Sequence, residues 1–234
     1  MKIGIIGAGN VGTGLTKHLL GKGHSVMLSF SLDTEKLRAT AAELGAEVGG
    51  VAEAVRFADV AVLATPWGAA ADALAQVGTP PGRKVLWDCT NALRPDMSGL
   101  VVGTTTSGAE EIAKLAPWAT VVKAIPPFAE LLHATEVRVG GERVGVFVCG
   151  DDANARTVVA QLVGDIGAEP IDAGPLTLAR YTEPAAMLLV QLAYTRGFGT
   201  RIGFSLLRDI AGNCLAARVP DRAGDAGDRR RRRG

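Results

Sequence analysis

The feature that most constrains this chain is a glycine-rich turn close to its start. The run Gly7-Ala8-Gly9-Asn10-Val11-Gly12 matches the pattern G-x-G-x-x-G and stands between a predicted strand, Lys2–Gly7, and a predicted amphipathic helix, Asn10–Leu20. In that context the pattern favours a dinucleotide site. Gly7 permits the tight turn, Gly9 lets the backbone approach a pyrophosphate, and Gly12 lets the helix pack close to the strand. The alternative is a glycine turn that binds no nucleotide.

Apolar runs and helical patterns alternate along most of the chain. We predict further strands at Ser25–Ser29, Val60–Ala64, Lys84–Asp88, Thr120–Ala124, Arg143–Cys149 and Ala168–Asp172, and further helices at Thr34–Leu44, Val51–Phe57, Gly68–Gln76, Ala109–Leu115 and Ala153–Val163. Leu176–Arg208 is predicted to be largely helical, with a break at Gly197-Phe198-Gly199. Val60–Ala64 is wholly apolar, which indicates a central strand buried on both faces.

This alternation predicts an α/β protein of the Rossmann type, with a doubly wound, mainly parallel sheet and a small, mostly helical C-terminal region. We predict an NADP-binding domain at residues 1–150, and a small acceptor-side or dimerisation region at 151–210. An Arg-rich tail follows at 219–234, where loss of periodicity predicts disorder.

Charge and cysteine content exclude several classes of protein. The formal net charge is +1, and the tail carries six Arg against three Asp, so the rest of the chain is weakly acidic and no nucleic acid partner is expected. The three cysteines are widely spaced, without a metal-type pair, so we expect no metal site and a cytoplasmic location. No apolar run is long enough to predict a signal peptide or a membrane span.

The second strand should decide between NAD and NADP, because an Asp or Glu near its end usually binds the ribose 2′-hydroxyl of NAD. Here Ser29, at the end of the strand, and Ser31 offer hydroxyls instead, and the first acid, Asp33, is better interpreted as the cap of the next helix. Together with Lys36 one turn on, the two serines suit a 2′-phosphate, so we predict NADP. Lys36 and Arg38 can also be solvated helix charges, and for Arg38 this is the preferred interpretation.

Several motifs resemble those of the coenzyme F420-dependent NADP oxidoreductases and of the related cytosolic domain of the six-transmembrane metalloreductases. They are the glycine turn, Gly23-His24-Ser25-Val26 leading to Ser31, Ala64-Thr65-Pro66-Trp67, Asp88-Cys89-Thr90-Asn91, Val121-Val122-Lys123-Ala124, Cys149-Gly150-Asp151-Asp152, Asp165-Ile166-Gly167, and Asp172-Ala173-Gly174-Pro175-Leu176 followed by Ala179-Arg180 and Glu183-Pro184. The resemblance covers roughly residues 1–208.

The resemblance implies roles for individual residues. It places the pyrophosphate on Gly9, Asn10 and Val11, and the 2′-phosphate near Ser31 and Lys36. The remaining contacts would come from Thr65, Pro66 and Trp67 along the cofactor, and from Asn91 and Ala124 toward the nicotinamide. It also implies a homodimer, for which the apolar stretch Pro184–Tyr194 is a candidate seam, although a domain core is the alternative.

Two positions depart from the family. Leu32 stands where the family often has an Arg that binds the 2′-phosphate, so replacing it by Arg is expected to tighten NADPH more than NADH. Ile125-Pro126-Pro127-Phe128 replaces a more polar segment on the side where the acceptor would approach.

The expected activity is hydride transfer between NADP and a deazaflavin such as coenzyme F420, a flavin or a similar acceptor. Such a transfer depends on positioning and needs no acid–base constellation. Lys123 and His133 are weak catalytic candidates. The alternatives are a reductase of a small carbonyl or imine, which needs a proton donor, and a non-catalytic NADP sensor.

Overall fold

A computed structural model describes residues 1–31, 33–80 and 82–209 of the chain. Leu32, Cys214 and the predicted tail at 219–234 lie outside the described residues, so the expectations for them stay predictions. Within the described ranges, no helix is long and apolar enough to cross a bilayer.

The central feature is an eight-stranded sheet with helices on both faces. Its strands, in chain order, are β1 (Lys2–Ile6), β2 (Ser25–Ser29), β3 (Glu47–Val48), β4 (Val60–Leu63), β5 (Lys84–Asp88), β6 (Ala119–Lys123), β9 (Gly145–Cys149) and β10 (Glu169–Gly174), and a separate hairpin holds β7 (Arg138–Val139) and β8 (Glu142–Arg143). The helices are α1 (Asn10–Gly21), α2 (Thr34–Leu44), α3 (Val51–Phe57), α4 (Trp67–Ala75), α5 (Gly108–Leu115), α6 (Ala129–His133), α7 (Ala153–Asp165) and α8 (Ala179–Val190). The predicted doubly wound α/β fold is confirmed.

The strand order explains where a ligand can bind. The sheet runs β3-β2-β1-β4-β5-β6-β9-β10, and all neighbouring strands are parallel except β6 and β9. The connection from β3 to β4 passes both β2 and β1, so the strand order reverses between β1 and β4. A crevice forms at the carboxyl ends of the strands on either side of such a reversal, and ligands of open α/β sheets bind there. As predicted, β4 is buried along its whole length.

Local capping explains several helix boundaries. The Asp33 carboxylate accepts a hydrogen bond from the Lys36 amide at 2.9 Å, which confirms Asp33 as the cap of α2. Asp152 caps α7 through the Ala155 amide in the same way. Ser107 caps α5 by accepting a hydrogen bond from the Glu110 amide at 3.2 Å, and its hydroxyl donates to the Glu110 carboxylate at 2.9 Å.

Two predicted elements in the second half of the chain are shorter in the structure than predicted. The predicted strand Arg143–Cys149 is split, because Gly140 and Gly141 both have positive φ and turn the chain into the β7–β8 hairpin before β9 begins. The predicted helix Leu176–Arg208 consists of a 3₁₀ turn, α8 and a π-helical turn that ends at Thr195. Residues 196–209 are not helical, because Phe204 pairs with Gly145 beside the sheet.

The region after residue 150 shares the main sheet. Strand β10 pairs in parallel with β9, and α7 packs against both. The proposed division at residue 150 therefore falls between two elements of one sheet, and it stays a prediction.

Candidate active site

A cavity of about 750 Å³ lies at the carboxyl ends of β1, β4, β5 and β6. Seven of the predicted site residues line it, namely Gly9, Asn10, Val11, Thr65, Pro66, Trp67 and Asn91. The topology brings them together because each follows a strand that ends at the same edge of the sheet. The Trp67 side chain also packs against a buried hydrophobic cluster of the core.

The three glycines of the turn are required for different reasons. Gly7 has φ +117°, and a Cβ there would lie 2.5 Å from the carbonyl oxygen of Ala64. A Cβ on Gly12 would overlap the carbonyl oxygen of Gly7, so both glycines are needed for the strand–turn–helix geometry. Gly9 has an ordinary φ of −78°, and a Cβ there would meet no atom of the described residues within 4 Å. Protein packing does not explain Gly9, whereas the close approach of a ligand does.

Two buried polar atoms in this cavity have no hydrogen-bond partner among the described residues. They are Oγ1 of Thr65 and Oδ1 of Asn91. The Asn91 amide nitrogen donates to the Glu183 carbonyl at 3.4 Å, which leaves its oxygen available. Because an unsatisfied buried polar atom costs about 1–3 kcal/mol, such atoms indicate a ligand that completes their hydrogen bonds. The carboxamide and ribose hydroxyls of a nicotinamide nucleotide fit that requirement.

A buried charge network lies beneath the cavity. The Lys123 ammonium contacts Asp88 Oδ2 at 2.7 Å, the Thr90 carbonyl at 2.7 Å and Glu183 Oε1 at 3.1 Å, so each of its three donors has a partner. The Lys123 and Asp88 side chains are 0% exposed, and Glu183 is 1% exposed. Burial alone would lower the pKa of Lys123, but the two carboxylates outweigh it and raise that pKa above its ordinary value.

The same carboxylates hold other parts of the site. Glu183, on α8, accepts hydrogen bonds from the Gly108 and Ala109 amides at 2.7 and 2.9 Å, at the start of α5. Asp88 accepts from both the amide and the hydroxyl of Thr90. The network therefore connects β5, β6, α5 and α8 around the loop that carries Asn91. The sequence analysis predicted no site role for Asp88 or Glu183 from the residues themselves. The signal that could have identified them is an acidic residue within an otherwise apolar strand or helix.

Other predicted site residues lie away from the main cavity. Ser29 is fully buried and donates its hydroxyl to the Ile5 carbonyl, so it is unavailable to a ligand. Ala124 is buried, and its carbonyl accepts from the Trp87 indole at 2.7 Å. Lys123 and His133 do not line the cavity; the His133 ring contacts the Asn10 carbonyl at 2.9 Å.

A second cavity, of about 570 Å³, lies beyond the end of β2. Ser31, Thr34 and Arg38 line it, as do Gly49 and Gly50 before α3. The predicted residue Lys36 lines neither this cavity nor the main one and has an exposed side chain. Lys36 therefore fits the interpretation as a solvated helix charge. Arg38 fits it less well, because Arg38 lines the second cavity.

The far side of the main cavity is formed largely by apolar and aromatic residues that sequence reasoning did not assign to the site. They include Met97, Phe128, Phe147, Ala186, Leu189, Val190, Tyr194, Ile202 and Phe204, together with the predicted departure Ile125, Pro126 and Pro127. Tyr194 packs edge-on against Phe128, with ring centroids 6.1 Å apart. Its partial burial and the charge of Glu130 raise the pKa of the Tyr194 phenol, so it stays protonated at neutral pH.

Two thiols lie near the site. Cys89 lines the cavity and Cys149 lies at the end of β9, and both are buried and free. Burial raises the pKa of both thiols, that of Cys149 to about 11. Neither is therefore a reactive thiolate at neutral pH. Among the described residues, no cluster of three or more His, Cys, Asp or Glu is placed to hold a metal.

Helix α8 is only partly covered by the rest of the described chain. Tyr181 and Leu188 on α8 are 73% and 53% exposed, and Tyr194 and Phe198 beyond its end are 51% and 66% exposed. Among the described residues, the stretch Pro184–Tyr194 is therefore only partly buried. Its assignment to a domain core or to a subunit seam stays a prediction.

Comparison with known proteins agrees with this geometry. Residues 2–92 match the family described as NADP oxidoreductase coenzyme F420-dependent. The metalloreductase STEAP3 of Rattus norvegicus is 28% identical over 189 residues, which are 81% of this chain but 37% of that protein, so the chain spans little more than a third of this curated relative.

Solved structures show the same fold. A candidate F420-dependent NADP-reductase from Arthrobacter sp. FB24 superposes with a TM-score of 0.78 at 28% identity, covering 89% of this chain and all of that one. An imine reductase from Myxococcus stipitatus superposes with a TM-score of 0.62 at 19% identity, over 85% and 62% of the two chains, which shows the fold alone. The resemblance inferred from the sequence is confirmed over residues 2–92, which are similar to the coenzyme F420-dependent NADP oxidoreductases.

Proposed function

We propose that the protein is an NADP(H)-dependent oxidoreductase that transfers a hydride between NADP and a flat ring acceptor, such as a deazaflavin or a flavin. The observation that carries this proposal is the division of one cavity into two unlike halves. The glycine turn, Thr65 and Asn91 form a polar half, and Phe128, Phe147 and Tyr194 contribute to an apolar half. The family match and the similarity to a candidate F420-dependent NADP-reductase support this assignment.

Each half would do a separate task. The backbone at Gly9 and Asn10 would bind the pyrophosphate at the start of α1, where free amides face negative charge. Thr65 Oγ1 and Asn91 Oδ1 would orient the nicotinamide end, since both lack partners. A bound reduced nicotinamide supplies the hydride. The apolar half would stack a flat acceptor and exclude water, so that reaction depends on positioning rather than on proton transfer.

A second candidate function is reduction of a small carbonyl or imine, and one observation favours it. The Tyr194 hydroxyl lines the cavity, where it could donate the proton that such a reaction needs. Lys123 is unsuited to that role, because its three protons are already donated within the buried network. The two candidates therefore differ in whether the Tyr194 hydroxyl matters.

The test is NADPH oxidation, followed at the absorbance band of the nicotinamide, with coenzyme F420, FMN, ferric chelate and a cyclic imine offered separately. NADH is run in parallel. Turnover with a ring acceptor supports hydride transfer between cofactors, and Tyr194→Phe is then expected to leave kcat almost unchanged. Turnover with the imine alone, abolished in Tyr194→Phe, would favour the second candidate. Tight NADPH binding without turnover would instead support an NADP sensor.

We also propose that the protein acts in the cytoplasm as a homodimer. The free buried thiols of Cys89 and Cys149 are compatible with a reducing compartment. The exposed apolar side chains of Leu188 and Phe198 give α8 and the following segment the character of a subunit seam. A second subunit seated there would lie beside the apolar half of the cavity, which Leu189 and Val190 line.

A further inference from the structure

The buried network beneath the main cavity carries a net negative charge. It holds one ammonium, that of Lys123, and two carboxylates, those of Asp88 and Glu183, so one positive and two negative charges leave a net charge of −1. Among the described residues, no other cation pairs with either carboxylate. Because the three side chains are at most 1% exposed, water and salt screen this charge much less than they screen a surface charge.

The hydrogen bonds require both carboxylates to be ionised. Oε1 and Oε2 of Glu183 each accept a hydrogen bond from one of the first two amides of α5. Oδ1 of Asp88 accepts from the Thr90 amide, and Oδ2 accepts from the Lys123 ammonium. An amide or an ammonium can only donate, so a proton on any of these four oxygens would compete with a donor that is already there.

The network contacts the loop proposed to orient the nicotinamide end. The Lys123 ammonium binds the Thr90 carbonyl at 2.7 Å, and the Glu183 carbonyl accepts from the Asn91 side chain at 3.4 Å. Thr90 and Asn91 both line the cavity. The net charge of the network therefore lies one residue layer below the space where a nicotinamide ring would lie.

Other charges around the cavity weaken this negative charge without reversing it. Among the described lining residues, Arg94 and Glu130 carry charged side chains, but both are exposed and they are opposite in sign. The start of α5 faces Glu183 and contributes about half a positive charge, which is less than the net charge of the network. The fixed charge at this end of the cavity therefore stays negative.

We propose that the net negative charge of the network favours the oxidised, positively charged nicotinamide and so poises the protein to use NADPH as a hydride donor. This inference rests on the proposed function, because it concerns the nicotinamide end of the same cavity. A hydride carries one proton and two electrons, so its departure makes a neutral nicotinamide ring positive, while the acceptor ring gains the hydride and then a proton from solvent. Asp88 and Glu183 attract the ring only as that positive charge develops, which stabilises the transition state and the product more than bound NADPH.

The test varies the charge of the network and compares two ligands that differ by one hydride. Dissociation constants for NADPH and NADP⁺ are measured by calorimetry on the full chain. Glu183→Gln removes one negative charge, Lys123→Met removes the positive charge, and the double variant removes one of each. At an effective dielectric constant of about 20, one buried charge should change the ratio of the two constants by about 5- to 30-fold.

The expected shifts have opposite signs. Glu183→Gln should weaken NADP⁺ relative to NADPH, Lys123→Met should strengthen it, and the double variant should return close to the wild-type ratio. Damage to the network alone would not produce opposite shifts, because both single variants lose contacts in the same place. Partial unfolding cancels in the ratio, since both ligands bind the folded protein.

Two further variants complete the test. Glu43→Gln is the matched control, because it makes the same exchange at an exposed position on α2 and should leave the ratio unchanged. Asp88→Asn removes the other carboxylate charge and should shift the ratio as Glu183→Gln does, which keeps the test decisive if Lys123→Met does not fold. An unchanged ratio in Glu183→Gln and Asp88→Asn, or shifts of the same sign in Glu183→Gln and Lys123→Met, overturns the inference while the proposed function stands. A wild type that binds neither ligand overturns both.

Discussion

Replacing Lys123 by Met removes the one cation from a network with two buried carboxylates. The wild-type ammonium has three oxygen partners at 2.7, 2.7 and 3.1 Å, and the Lys123 side chain is 0% exposed. Met is similar in length and apolar, so it fills most of the space, but it leaves Asp88 and Glu183 facing each other without a cation. The expected result is a large loss of stability rather than a cavity effect.

The magnitude follows from the geometry. Removing one partner of a buried ion pair costs about 3–5 kcal/mol, because the remaining charge stays buried without compensation. The amides of Gly108 and Ala109 still donate to Glu183, and Thr90 still donates to Asp88, so we expect about 3 kcal/mol. For a chain of this size, 1 kcal/mol lowers Tm by about 2–4 °C, so the expected shift is about 6–12 °C.

Urea denaturation at pH 7 measures this loss, with Lys114→Met as the control. Because the pKa of Lys123 is raised, its contribution to stability is complete below its unfolded pKa and disappears only as the pH rises through the higher folded value. The measurement at pH 7 therefore captures all of it. Lys114 pairs with Glu111 at 2.8 Å but is 68% exposed, so its loss should change the denaturation midpoint little.

A double variant separates charge from packing. In Lys123→Met with Glu183→Gln, one of the two uncompensated carboxylates is neutral, so part of the lost stability should return. If Lys123→Met costs no more than Lys114→Met, the network contributes nothing to stability. If the double variant loses more free energy of unfolding than the two single variants lose together, the stability of the network does not depend on balancing charge.

Three further predictions concern the turn, the pH response and the assembly. Gly9→Val should leave the fold intact and weaken NADPH binding by at least about tenfold, because charged hydrogen bonds to the pyrophosphate contribute about 1.5–3 kcal/mol each. Gly12→Val should instead prevent folding, because its Cβ would overlap the Gly7 carbonyl oxygen. An unaltered NADPH affinity in Gly9→Val would refute the assignment of the pyrophosphate site. Burial lowers the pKa of His18, so its contribution to stability is complete above its unfolded pKa of about 6.5 and is lost as the pH falls toward the lower folded value. Urea titrations from pH 8 to pH 5 should show this slope reduced in His18→Gln, and an identical slope would contradict it. Leu188→Glu should convert a dimer into a monomer in analytical ultracentrifugation, and a wild type that is already monomeric would refute the seam.

The sequence by itself determined the class of fold and the polar half of the candidate site. The alternation of apolar runs and helical patterns identified the doubly wound sheet, because strand and helix periods are local properties. Gly12 could be predicted for the same reason, because a Cβ there would meet the Gly7 carbonyl within the local β1–α1 unit, and Gly7 could be predicted because its positive φ belongs to the local turn. Asp33 could be predicted as a cap because a capping residue acts within four positions of itself.

Tertiary structure alone decided the rest, since those decisions join residues far apart in sequence. Glu183 lies 60 positions after Lys123 along the chain, and only the packing of α8 on α5 brings them within 3.1 Å. Phe204 reaches the cavity because Gly197 and Gly199 have positive φ and the chain after the π-helical turn returns to Gly145, which helical periodicity cannot anticipate. The choice between Lys36 and Arg38 depends on which side of α2 faces a cavity, and that is set by how α2 packs on the sheet rather than by residue type.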